Sequence, residues 1–145
     1  MKVALAALLL LGACANHDSK AIGGKEAARL LTDRNWVDTW PHDKDDRLHV
    51  FRFTPGMGGG VYQDRTVFHG EFELFRFSVR EDDLELDLPH TGEHVHTRFR
   101  IERVDGPEPF DLKLTLDRSP RGPRVYYGRS AEGASLDAEL AQAVE

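Results

Sequence analysis

Between residues 83 and 88 the chain alternates without interruption, with Leu84, Leu86 and Leu88 set against Asp83, Glu85 and Asp87. Successive side chains of a strand point to opposite faces, so this spacing predicts a strand with one buried and one wet face. Residues 95–103 repeat the pattern, Thr97, Phe99 and Ile101 opposing His96, Arg98, Arg100 and Glu102, and residues 110–117 repeat it with Phe110, Leu112, Leu114 and Leu116. Residues 48–54, 61–69 and 71–79 read as further strands, and 125–127 as a last short one. Within 71–79 both parities are apolar, Phe72 and Leu74 on one and Phe75, Phe77 and Val79 on the other. A β-bulge near Leu74 would bring both sets onto one face, and that is the expectation. Connections are short throughout, as in an antiparallel meander.

Helical spacing occurs only at the two ends. Ala27, Ala28, Leu30 and Leu31 predict a short helix over residues 25–33, too short to stand without packing on something larger. Trp36 and Trp40 follow, with Pro41 ruling out a helix through them, and both tryptophans are expected to plug one end of a core. At the other end, Ser135 in a capping position and Leu136, Leu140 and Val144 at four-residue spacing predict either a short amphipathic helix or a frayed tail. One-sided strands in this number need a sandwich or closure, and a sequential meander closes most simply. The predicted fold is all-β: a small antiparallel up-and-down barrel with a short N-terminal helix.

The first residues do not belong to that body. Met1-Lys2, an apolar run over residues 3–11 and Gly12-Ala13-Cys14 make a basic start, an apolar stretch and a small-residue cleavage site, the plan of a secretory signal peptide. The run is too short to span a bilayer, which takes about 20 apolar residues. Leu11-Gly12-Ala13-Cys14 resembles the lipobox of bacterial lipoproteins, and Cys14 is the only cysteine in the chain. The resemblance implies a diacylglycerol-modified Cys14 carrying fatty acyl chains such as palmitate, cleavage before it, and a protein tethered to the cell envelope. No aspartate follows Cys14 directly; Ala15 and Asn16 do, which by the same resemblance implies the outer membrane, facing the periplasm. The expected organisation is a signal peptide over 1–13, a flexible tether over 14–24 and one barrel domain over 25–145.

Composition narrows the classes. In 145 residues, 40% hydrophobic and 30% charged residues exclude a wholly disordered chain or a polytopic membrane protein, and a net charge of −6 argues against a nucleic-acid partner. A short N-terminal helix, a tryptophan at the entrance to the first strand and a barrel-sized meander over residues 36–127 resemble the lipocalin-like, or calycin, family. That resemblance implies an apolar cavity for a hydrophobic or lipid-like ligand, with Trp36, Trp40, Phe51, Phe53, Phe75, Phe77 and Phe99 as candidate lining or core residues. The chain is short for a large-pocket lipocalin, so a filled core is an equal alternative.

Other candidate chemistry is sparser. His94 and His96 lie two apart on a strand and share a side, as two metal ligands would. They share it with Arg98 and Arg100, which makes a solvated face the expectation and a metal site the weak alternative. The stretch is similar to the His-x-His…Glu motif of cupins, but Glu102 lies about 20 Å along a straight strand from His96, too far to share a metal. The glycine-rich stretch 55–60 is followed by a strand, not a helix, so it reads as a rim loop and not a phosphate cradle. Arg118, Arg121 and Arg124 lie among turn residues that suit an anionic head group or an acidic partner. No nucleophile elbow is present and the sole cysteine is committed to lipid, so no enzyme, cofactor or resident metal is expected. The leading expectation is a lipid-anchored barrel that binds a small hydrophobic ligand. An envelope interaction protein with a filled barrel, acting as inhibitor, immunity factor or assembly accessory, is the alternative, and a metal-binding module the third.

Overall fold

The computed structural model describes residues 20–131 and 135–145. Nine strands and two helices follow in the order β1 (Lys20–Ile22), α1 (Gly24–Leu31), β2 (Asn35–Val37), β3 (Leu48–Thr54), β4 (Gly59–Arg65), β5 (Gly70–Arg80), β6 (Asp83–Leu88), β7 (Glu93–Arg103), β8 (Leu112–Leu116), β9 (Val125–Gly128) and α2 (Leu136–Ala143). Each strand from β2 to β8 pairs antiparallel with the next, and β9 returns to β2, so eight strands close an up-and-down barrel. Closure leaves those eight strands without a free sheet edge. Ser135 caps α2, its hydroxyl accepting from the Ala138 amide at 3.3 Å, so the C-terminal segment is a helix.

Strand β1 adds to the far end of β7, in register Lys20↔Arg103 to Ile22↔Ile101. The body therefore takes up residues that composition alone assigns to the tether. Helix α1 then turns its buried face, Ala27, Leu30 and Leu31, into the same end of the barrel. At eight residues it depends on this packing. The Trp36 indole N–H donates to the Leu31 carbonyl at 3.0 Å, satisfying a helix-end acceptor from inside the barrel.

Two hydrophobic clusters result. The lumen holds Trp36, Phe51, Phe53, Tyr62, Phe75, Phe99, Tyr126 and the inward leucines of β6 and β8, with α1 beneath them. A second cluster lies on the outer wall, where Leu140 of α2 covers Val37, Leu48, Val50, Val67 and Phe110, and Trp40 and Tyr127 pack alongside. Trp40 stands edge-on to Phe110 at 5.7 Å. Only Trp36 of the two tryptophans is in the barrel core; the strand carrying it ends at Val37, and Trp40 beyond it packs against the outer-wall cluster.

The expected bulge at Leu74 is absent. Register runs unbroken from Arg65↔Gly70 to Gly60↔Phe75 and from Arg76↔Asp87 to Arg80↔Asp83. Phe75, Phe77 and Val79 thus face inward while Phe72 and Leu74 face out, 71% and 63% exposed. Two apolar parities on one regular strand cannot share a face.

Candidate functional site

Six of the seven aromatic residues singled out from sequence belong to the lumen: Trp36, Phe51, Phe53, Phe75, Phe77 and Phe99. They pack on one another. Phe51 alone meets Phe53, Tyr62, Phe75 and Tyr126 with ring centroids 4.9–5.7 Å apart, the last two in the edge-to-face geometry aromatic pairs favour. Phe53 bridges to Phe75 and Phe77 at 5.4 and 5.2 Å. Rings from β3, β4, β5 and β9 therefore meet inside the barrel, and its inward side chains are buried against one another. Trp40, the seventh, lies outside.

Opposite α1, the barrel mouth is polar and latched. Asp38 accepts from the His49 amide at 2.6 Å and faces His49 Nδ1 at 2.7 Å, which turns Nε2 toward Asp64, 3.9 Å away. The His49 ring stacks on Tyr62, whose hydroxyl is pushed up to about 12 chiefly by burial. Burial likewise raises Tyr126, whose hydroxyl donates to the Arg121 carbonyl at 3.2 Å. The loop between β8 and β9 folds over this floor. Arg121 binds Glu73 through Nε at 2.8 Å and Nη2 at 3.2 Å, and Nη2 also reaches Glu93. Gly122, at φ +63°, lies so close that a Cβ there would come within 2.8 Å of the Tyr126 hydroxyl and 2.9 Å of that of Tyr62. Only glycine lets the loop seat this deeply.

The third feature is an open groove of about 760 Å³ on the outer wall of β3, β4 and β5, bordered by Met57, Val61, Phe72, Leu74, Arg52 and Arg76. Met57 is 85% exposed at the β3–β4 turn. Large exposed apolar side chains scattered singly are ordinary, but a contiguous set marks a contact surface. Its signal in the sequence is the pair of apolar parities on β5, a pattern that a bulge would share.

His94 and His96 point outward on β7 as their parity predicts, each against its own carboxylate: Nδ1 of His94 at 2.5 Å from Asp87 and Nε2 of His96 at 3.3 Å from Asp83. Asp87 raises His94 above its ordinary value. Among the described residues, no three metal-ligating side chains converge. Of the arginine loop, Arg121 is turned into the mouth and Arg124 donates to the Leu116 carbonyl at 3.0 Å. Cys14 lies outside the described residues.

The fold and these surfaces define a closed eight-stranded antiparallel β-barrel with lipocalin-like connectivity. No protein-family model matches the chain, and neither a curated protein nor a solved structure does.

Proposed function

We propose that the protein is a lipoprotein of the bacterial cell envelope, held by acyl chains on Cys14 and facing the periplasm, whose barrel is a non-enzymatic binding module for a hydrophobic or lipid-like group. The observation that carries the reading is the division of apolar surface: the lumen is packed with its own rings, while Met57, Phe72 and Leu74 surround an open groove on the outer wall. Binding is therefore assigned to the outside of β3–β5 and not to the interior. The lumen aromatics serve as the rigid support of that wall. Two or three acyl chains at about 0.8 kcal/mol per buried methylene make the tether effectively permanent.

Mass spectrometry of the chain extracted from host membranes tests both halves. The expected result is loss of residues 1–13, a diacylglyceryl adduct on Cys14, and a co-purifying apolar molecule that Phe72→Ser with Leu74→Ser removes. An unmodified Cys14 overturns the anchor; an apolar molecule unaffected by the double substitution overturns the groove.

The packed lumen also favours a second reading, an envelope protein that uses the same wall to bind another protein. Crosslinking from position 72 in intact cells separates the two, since a protein partner gives a discrete adduct and a lipid does not.

A further inference from the structure

The outward positions of β3, β4 and β5 carry one sign of charge. Alternating from the buried Phe51, Phe53, Tyr62 and Phe75, they include Arg52 and Thr54 on β3, Gly59, Val61, Gln63 and Arg65 on β4, and Phe72, Leu74, Arg76, Ser78 and Arg80 on β5. Four are arginines and none is an aspartate or glutamate, in a chain whose net charge is −6. Arg65 is tied to Asp137 of α2 at 2.7 Å, at the margin where the covered part of the wall begins. At the other margin, the outward row of β6 is wholly acidic: Asp83, Glu85 and Asp87. Arg76 and Arg80 face Asp87 and Asp83 across the strands, but those carboxylates are engaged by His94 and His96. The result is an apolar strip from Met57 to Phe72, flanked by guanidinium groups and bounded by an acidic edge.

The placement of β1 bears on the orientation of the barrel toward a membrane. β1 runs antiparallel to β7, so Lys20 lies at the α1 end of the barrel, beyond Ile22. The β3–β4 turn with Met57 and the β5–β6 turn at Glu81 and Asp82 lie at that same end, and Ala21 and Ile22 border a cleft with Glu81 and Asp82. From Cys14 to Lys20 a fully extended chain reaches at most about 20 Å. An anchored barrel is thus held within its own dimensions of the bilayer, with the β3–β4 and β5–β6 turns at its tethered end.

We propose that the outer wall of β3–β5 docks on anionic phospholipid: Met57, Phe72 and Leu74 enter the head-group boundary while Arg76 and Arg80 meet lipid phosphates. This rests on the anchoring reading above and names the partner of the same groove. Guanidinium groups suit phosphate because their fork of donors matches its oxygens and they are weakly hydrated. Each basic residue near an anionic surface adds its attraction, and exposed apolar side chains add their burial. A second copy of the chain is a poor occupant, because a two-fold contact through this wall sets arginines against arginines.

The test uses the full chain in vesicles of phosphatidylcholine with and without phosphatidylglycerol. An environment-sensitive fluorophore is placed at Leu74→Cys, at Met57→Cys in case the first variant fails to fold, and at Lys113→Cys on β8, across the barrel. Emission at positions 74 and 57 should rise severalfold on the anionic vesicles and be quenched by lipids spin-labelled near the head group, while position 113 stays solvent-like. Arg76→Glu with Arg80→Glu should cut the rise at least threefold. Equal responses at 74 and 113, or a solvent-like 74 on a chain whose mass shows the acyl adduct, overturns docking alone. Shielding of 74 without vesicles, accompanied by a doubled native mass, overturns it in favour of a second copy. Labelling of the wild-type chain at Cys14 reports a failed anchor reading; flotation of that unacylated chain with anionic vesicles then sustains docking, and its absence overturns it.

Discussion

Leu74 and Phe75 are neighbours on one strand and opposite in environment. Phe75 is 3% exposed and meets the rings of Phe51, Phe53 and Phe77, whereas Leu74 is 63% exposed on the wall outside. The same comparison extends to the whole wall. Over β2, β9 and the start of β3 the outer face is covered by α2, Trp40 and Phe110; over β5 it is bare. A barrel of this size needs apolar residues on only one parity, and the cover supplied by α2 accounts for a second apolar row on β2 and β3. On β5 nothing in the described fold accounts for it, which is why that row is read as a contact surface.

Stability measurements should separate the two sides most widely. Phe51→Ala removes a ring from the centre of four others and is expected to cost about 3–5 kcal/mol, while Leu74→Ala should stay within about 0.5 kcal/mol. Urea unfolding of both variants checks this, and comparable losses would mean that Leu74 is buried in solution. Next in size is Gly60→Ala. Gly60 is on the inward row of β4, and a Cβ there would come within 2.4 Å of Phe75 Cζ and 2.5 Å of the Arg52 carbonyl. Backbone leaves no room to shift, so an expected loss of about 1–3 kcal/mol follows from overpacking. The midpoint of the same urea curve reads it.

The barrel was legible because its strands alternate: leucines at every second position of β6 and β8 define both the strands and the side that is buried. Six lumen aromatics were legible for the same reason. Trp40 was not, since its position depends on where β2 ends and on α2 returning to cover the outer wall, a contact spanning about a hundred residues. The mouth was illegible from spacing for a similar reason. Asp38, His49, Tyr62, Glu73, Glu93 and Arg121 come from six separate segments, and only closure brings them together. Phe72 and Leu74 are visible in the sequence but ambiguous there, because a bulge and an exposed apolar row leave the same trace, and only the regular register of β5 separates them.

At the mouth the comparison is between a pair shielded on both sides and one half in water. Arg121 and Glu73 are each less than a quarter exposed, and Arg121→Met strips Glu73 of its partner, for an expected loss of about 1–2 kcal/mol after allowance for partial screening. Glu93 adds a pH signature. Its bond to Arg121, with that to Thr91, holds its carboxyl below the ordinary 4.5. A lowered folded value means that its contribution is complete above 4.5 and is lost as pH falls through the folded value. The difference in urea midpoint between wild type and Arg121→Met should therefore be constant from pH 7 to 5 and shrink below that. A difference independent of pH down to 3 would detach Glu93 from the latch.

The smallest effect belongs to the outer row of β7. Asp87 raises His94 by a side-chain hydrogen bond and by its charge, with Glu85 adding to it, and the two partners of that pair are 60% and 53% exposed. A raised folded value reverses the sign found at Glu93: the contribution is complete below the ordinary 6.5 and is lost as pH rises through the folded value. Wild type should thus exceed His94→Gln in stability at pH 6 and match it at alkaline pH. Because the pair is exposed, salt should erode even the acidic-side difference, whereas Phe51→Ala is indifferent to salt. The shift in urea midpoint at pH 6 should fall below that of Arg121→Met at pH 7. A larger one would show that the acidic row of β6 and the histidines of β7 hold a structural contact as significant as the latch, and that the outer wall beside the groove is less passive than its exposure indicates.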